Sequence, residues 1–238
     1  MTDERISTFL ELYDPPLSPY LALLEREAEE NGVPVIRKLT RRLAAFFCEM
    51  KRPARILEIG TATGFSSIFF CEHSEASVTT IENYPPRIEA AKRHIKEAGY
   101  ESRIRLLEGD AEEILPSLSG TYDMVFLDAA QGQYLAFLPD LIRLMGSGSV
   151  LLVDDVLRGG EVVETHYAVT RRKRTIHKRL RGFLRALMDD RRMTAVILPV
   201  EDGVAAAVKR EDGHKESCFP ESMELLREAA VRREDETS

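Results

Sequence analysis

The chain has 238 residues, 44% of them hydrophobic and 31% charged, a balance that excludes general disorder and allows a core of ordinary size in one domain. With 40 acidic against 33 basic residues the net charge is −7, which excludes a protein that coats nucleic acid with its whole surface but leaves room for a local basic patch. Cys48, Cys71 and Cys218 form no C-x-x-C pair, so neither a disulfide framework nor a zinc site is expected. The acidic opening MTDERISTFLELYDPP, and the absence of any apolar run near the ~20 residues of a membrane span, predict no signal peptide and no membrane contact. A reducing cytoplasm is the expected location.

Leu21, Leu24 and Ala28 recur at helical spacing between Tyr20 and a stop at Gly32, and a second helix is predicted from about Val35 to Met50. Both precede the main fold, with Pro53 at the boundary. ARILEI (54–59) then reads as a strand closed by Gly60, followed by a helix from Gly64 to about His73. The strand SVTTIE (77–82), the amphipathic helix 86–99 and the strand RIRLLEG (103–109) come next. AEEILPSL leads to the strand YDMVFLD (122–128), a helix from about Gln131 to Met145, and the strand SVLLVDD (149–155). Five alternating units signal a parallel sheet covered on both faces. A linker (156–170) and a basic helix (about 171–189) precede MTAVILPV and GVAAAVKR, a hairpin that puts the last strand antiparallel. The charged tail beyond Arg210 carries one possible helix at 221–233 and no assigned chemistry.

Gly60 and Gly64 flank the turn after the first strand, where backbone can pass close to a ligand and a helix start offers free N–H groups. Tight packing without a ligand explains such a turn equally well, and the full G-x-G-x-x-G of dinucleotide binders is lacking. Glu82, ending the second strand, is placed to accept both hydroxyls of a ribose, and Asp110 follows the third on the same edge. The three positions together favour a cofactor containing adenosine. Asp128 ends the fourth strand, while Asp154 and Asp155 close the fifth. Neighbouring strands would gather these carboxylates, and three oxygen ligands suit a hard cation such as Mg²⁺ in octahedral geometry at ~2.1 Å. Individually, each aspartate could instead cap a helix or face water.

LEIGTATGFS, TIE, GDA, FLDAAQGQY and LVDDVL, in this order, make the chain resemble the cation-dependent, S-adenosylmethionine-dependent O-methyltransferases, over roughly residues 20–210. AAQGQY, DDVLRGG, the run TRRKRTIHKRLRGFLR and the ending TAVILPVEDGVAAAVKR are most similar to the bacterial branch that methylates 5-hydroxyuridine in tRNA. The resemblance implies an α/β, Rossmann-like class I methyltransferase, with a mostly parallel seven-stranded sheet, an antiparallel C-terminal strand and added N-terminal helices. It implies one domain over 1–210, including a helical extension at 1–52, a tail at 211–238, and a homodimer. By motif position, Glu58, Gly60, Thr61, Gly64 and Ser66 shape the methionine end of the cofactor site and Val33 contacts the cofactor. Glu82 binds ribose, Asp110 and Ala111 lie near adenine, and Asp128 belongs to the cofactor site as well as the metal. Asp128, Asp154 and Asp155 match the metal ligands.

Two positions depart from that pattern. Asp155 stands where the family usually has asparagine, and Gln131 where it usually has a lysine proposed as general base. Three carboxylates around Mg²⁺ leave a net negative charge, which stabilises an ionised substrate oxygen less well. A hydroxyl that ionises readily, such as that of 5-hydroxyuracil, tolerates this loss better than a catechol, and its adjacent oxygen pair can chelate one cation in the same way. Asp128 and Gln131 are therefore the expected catalytic positions.

Arg171, Arg172, Lys173, Arg174, Lys178 and Arg179 form a basic run expected to bind tRNA phosphates at the mouth of the site, the alternative being a solvated helix face. Tyr134 and Tyr167 could stack on a base or simply pack, and Arg158-Gly159-Gly160 reads as a loop over the substrate. Two rival readings stay open: a catechol or phenolic O-methyltransferase of the same fold, and a noncatalytic RNA-binding module.

Overall fold

The computed structural model of the protein describes residues 4–165 and 167–211. Cys218, the possible helix at 221–233 and nearly all of the tail lie outside the described residues. Three helices come first: α1 (Glu4–Glu11), α2 (Pro19–Glu30) and α3 (Lys38–Lys51). The composition of the opening segment gave no sign of α1. Then β1 (Arg55–Ile59), α4 (Phe65–Glu72), β2 (Ser77–Glu82), α5 (Pro85–Glu97), β3 (Ile104–Glu108), α6 (Ala111–Ile114), β4 (Tyr122–Leu127), α7 (Tyr134–Leu144) and β5 (Met145–Val153) alternate. The chain continues through α8 (Arg174–Asp189), β6 (Met193–Leu198) and β7 (Val204–Lys209).

The seven strands form one sheet in the order β3-β2-β1-β4-β5-β7-β6. β1 pairs parallel with β2 and β4, β2 with β3, and β4 with β5, whereas β7 runs antiparallel to both its neighbours. This is the Rossmann-like methyltransferase architecture expected above. Strand alternation divides the core into two layers. Leu57, Val125, Leu151 and Ala207 pack on one face against Phe137 and Leu141 of α7 and Phe183 and Leu187 of α8. Ile56, Met124, Leu152 and Ala206 pack on the other against Leu24, Ala44 and Phe69. Such central strands must be apolar at every position, which is why each reads as a short continuous apolar run.

Several boundaries differ from those expected. Met145 belongs to β5, not to the preceding helix, and β5 ends at Val153, so Asp154 and Asp155 lie just past the strand. Residues Gln131–Gln133 form a 3₁₀ turn ahead of α7. The basic helix begins at Arg174, leaving Arg171, Arg172 and Lys173 in the turn before it. Residues Arg158–Val163 form a kinked 3₁₀ segment with Gly159 and Gly160 at positive φ.

Gly60 shows how tightly the strand ends are fitted. Its φ is +100°, and a Cβ there would lie 1.8 Å from the carbonyl oxygen of Asp128. The loops after β1 and β4 therefore touch backbone to backbone. Gly60→Ala is expected to lower the unfolding free energy by about 3 kcal/mol or more, measured by urea denaturation, because it combines left-handed strain with a backbone clash.

Candidate active site

The C-terminal strand ends open into a cavity of about 410 Å³. Gly60, Thr61 and Ser66 form its floor after β1, Glu82 and Arg87 its side after β2, and Asp110 and Ala111 a further side after β3. Asp128 and Asp155 line it from β4 and β5, and Pro34, Val35 and Ile36 wall it from the N-terminal helices. Four carboxylates (Glu82, Asp110, Asp128, Asp155) and one guanidinium (Arg87) face this space. The excess negative charge fits a cationic ligand such as a sulfonium with its ammonium group, and the volume is in the range of small-molecule sites, ~300–1,000 Å³.

Other expected cofactor residues stand off the wall. Val33 lies just before the lining stretch, its N–H donating to Ala28 O at 2.8 Å. Gly64, at φ +90°, ends the turn and precedes α4. Glu58 is fully buried beneath the turn, where Thr80 Oγ1 donates to its Oε2 at 2.6 Å and Ser67 Oγ donates to the same oxygen. Burial pushes the Glu58 carboxyl above the usual range, against the opposing hydrogen bonds of its serine and threonine neighbours. Glu58 thus supports the turn from below. Glu82 is held by three backbone N–H groups: Ala62 at 2.9 Å on Oε2, and Asn83 and Tyr84 at 3.0 Å each on Oε1. A carboxylate has about four acceptor sites, so with three taken a fixed Glu82 retains capacity for about one hydroxyl donor, where the sequence suggests both hydroxyls of a ribose.

The three aspartates assemble at adjacent strand ends but are not equivalent. Asp154 is buried below the cavity wall, its Oδ1 accepting from Asp155 N–H at 2.9 Å. Asp155 takes the left-handed conformation, φ 59°, and turns toward the cavity. Burial first, and then neighbouring carboxylates, push Asp128 up to about 7 and Asp154 up to about 8; burial also raises Asp155, opposed by Arg37. Carboxylate oxygens are hard donors of the kind a divalent cation takes, so the donor chemistry, though not a closed geometry, suits one. Among the described residues they are not drawn into a closed ligand cluster.

The turn between β6 and β7 braces this edge. Glu201 accepts from Leu39 N–H at 3.0 Å, Thr40 N–H at 3.2 Å and Thr40 Oγ1 at 2.8 Å, capping α3, and Thr40 Oγ1 lies 3.4 Å from Asp154 Oδ1. The Asp202 carbonyl accepts from Leu157 N–H and Arg158 N–H at 2.7 and 3.1 Å. Gln131 lies behind the cavity: its amide donates to Asp155 O at 3.1 Å, and its carbonyl accepts from Arg158 Nη1 at 2.7 Å. Gln131 therefore joins two loops and presents no base.

Tyr134 is fully buried, its hydroxyl accepting from Ala129 N–H at 3.2 Å, so it is a core residue and cannot stack on a base; Tyr167 is exposed. In the basic run, Lys173 pairs with Glu161, Arg174 donates to Val169 O at 3.1 Å, and Arg179 reaches Gly132 O at 3.4 Å. Arg171, Arg172 and Lys178 are exposed. Arg37, Arg87, Thr40 and Glu201 were missed in the sequence because single polar residues on helices or hairpin turns carry no motif. The stretch NGVPVI was the one pointer to the N-terminal wall.

A sequence model of the O-methyltransferase family matches residues 21–210. The catechol O-methyltransferase of Mycobacterium tuberculosis is 38% identical over 112 residues, covering 46% of this chain and 51% of that protein. A Mycobacterium marinum protein provisionally named as an O-methyltransferase is 30% identical over 186 residues, 76% of this chain and 81% of its own. This chain thus spans about half the length of the first relative and four-fifths of the second. Among solved structures, a Staphylococcus aureus protein provisionally described as a caffeoyl-CoA O-methyltransferase superposes with a TM-score of 0.80 at 31% identity, over 87% of this chain and 100% of that one. The SAH-bound methyltransferase PaMTH1 of Podospora anserina gives 0.77 at 26%, over 87% and 95%.

Two measurements check the site. Asp128 and Asp154 hold protons more tightly folded than unfolded, so in chelator-treated protein the stability this confers is full below pH ~4 and is lost as pH rises through the folded values near 7 and 8. The melting temperature is therefore expected to fall from pH 5 to pH 8, and added Mg²⁺ to raise it more at pH 8 than at pH 6. Glu82→Gln keeps the shape but removes charge and acceptor capacity. By calorimetry it should weaken S-adenosylmethionine binding by roughly tenfold or more, the worth of one charged hydrogen bond.

Proposed function

The chain belongs to the O-methyltransferase family, and from that premise we propose that it methylates the hydroxyl of 5-hydroxyuridine at the tRNA wobble position, giving 5-methoxyuridine, with Mg²⁺ held at Asp128, Asp154 and Asp155. Use of S-adenosylmethionine for O-methyl transfer follows from the family; substrate and metal are our reading. When bound, the donor supplies a methyl group on a cationic sulfur, and a divalent cation lowers the pKa of a chelated hydroxyl.

The chain's own residues supply binding and alignment. Glu82 accepts from a ribose hydroxyl, and the carboxylates facing the cavity complement the positive donor. The loop contact of Gly60 with Asp128 sets the floor of the site against its acidic edge, a fixed backbone on which donor and acceptor would be positioned. Gln131 is tied to Arg158 and Asp155, so this position takes no proton from the substrate, which suits a hydroxyl that ionises readily.

The observation that carries the tRNA reading is where the basic segment lies. Arg179 reaches the carbonyl of Gly132, and Ala130 and Gln133 on either side of that glycine line the cavity. Arg171, Arg172 and Lys178 are exposed on the same basic segment, on a chain that is acidic overall, and we take them as the groups that would meet a phosphate backbone. A second reading, a catechol-type substrate, is favoured by the name of the Mycobacterium tuberculosis relative.

The test offers the protein tRNA containing 5-hydroxyuridine, or catechol, with S-adenosylmethionine and Mg²⁺, and follows products by mass spectrometry. Methylated wobble uridine is expected. With three phosphate contacts, tRNA affinity should fall about 40-fold between 50 and 200 mM salt, and charge reversal at Arg171, Arg172 and Lys178 should flatten that dependence. Methylated catechol beside untouched tRNA overturns the tRNA reading in favour of the second.

A further inference from the structure

Arg37 ends the stretch whose Pro34, Val35 and Ile36 wall the cavity, and it is the N-cap residue of α3. Its guanidinium lies between two carboxylates distant in sequence: Nη1 is 3.4 Å from Asp155 Oδ1 and Nη2 is 2.6 Å from Asp202 Oδ2. Its charge also bears on Asp128 and Asp154, so one side chain serves the entire acidic edge.

We propose that Arg37 is a built-in counter-ion that a divalent cation displaces from Asp155, and that Asp202 is the carboxylate that retains it when it leaves. The inference rests on the divalent-cation reading given above. Crowded carboxylates at the edge of a cavity require positive charge nearby. A guanidinium supplies it, but a guanidinium and a metal ion repel each other and compete for the same Asp155 oxygen. Asp202 already makes the shorter contact. Its backbone carbonyl binds the N–H groups of Leu157 and Arg158, so the two carboxylate-bearing loops stay tied while the arginine moves. The Arg37 side chain is 44% exposed, and the exchange needs only rotation about its own bonds. Because residues 34–36 precede it directly, releasing Asp155 also loosens one tether of the cavity wall.

Calorimetric titration of chelator-treated full-length protein with MgCl₂ tests this without relying on activity. Arg37→Gln is expected to tighten the Mg²⁺ Kd about tenfold, a coupling of ordinary size for charges in contact. Arg37→Lys, which keeps the charge, should stay near wild type. Asp202→Asn should weaken Mg²⁺ binding in the wild-type background, by leaving Arg37 on Asp155, and have no effect once Arg37 is Gln. An unchanged or weaker Kd in Arg37→Gln, equal behaviour of Lys and Gln, or additive effects of the two sites overturns the placeholder while leaving the cation reading intact. No Mg²⁺ binding by wild type or any variant overturns the cation reading as well.

Discussion

Like charges crowded at the ends of two neighbouring strands are the constraint around which this molecule is arranged. Asp128, Asp154 and Asp155 follow apolar strands, Asp154 buried and the other two half-buried, and each has its protonated form favoured by burial. The surroundings answer this in three ways. Arg37 brings positive charge from the N-terminal helices. The N–H of Asp155 itself, donating to Asp154 Oδ1, supplies a hydrogen bond from within the loop. Asp155 adopts a left-handed backbone that turns it toward the cavity, the kind of local strain that persists where a site requires it. Such an arrangement is costly for folding alone.

The alternation of short apolar runs with amphipathic stretches was legible because each central strand is buried on both faces and each helix on one. The strand-end residues could be read for the same reason, since a polar residue closing an apolar run has to be at the edge of the sheet. What could not be read depends on distance in sequence. Glu201 and Asp202 looked like ordinary hairpin-turn residues, and their partners Leu39, Thr40 and Arg37 lie some 160 positions earlier. Glu58 looked like a cofactor contact, whereas the structure places it one layer below, where Ser67 and Thr80 occupy it. Tyr134 looked available to stack because no local pattern separates an aromatic that opens a helix from one that faces the core. α1 left no signal, being short and exposing Ile6, Phe9 and Leu10.

The basic helix serves two purposes at once. Its apolar face, with Leu180, Phe183 and Leu187, completes the core over β5 and α7. Its arginines are divided between the protein and solvent: Arg179 donates to the carbonyl of Gly132 in the loop after β4, and Arg174 and Arg181 donate to the carbonyls of Val169 and Val162 in the segment before α8. A charge run read as a single patch is therefore part mortar and part exposed surface.

Glu201 caps the start of α3, and so the roof over the cavity depends on a side chain near the far end of the described sheet. On a ribosome the first three helices and most of the sheet emerge before that glutamate exists, and pairings so remote in sequence form late because their loop entropy must first be overcome. Until the turn before β7 is in place, the amino end of α3 lacks the acceptor that Glu201 supplies to Leu39 and Thr40. Competence to hold a ligand is thus reserved for the finished chain, and a nascent protein has its floor in place before its ceiling.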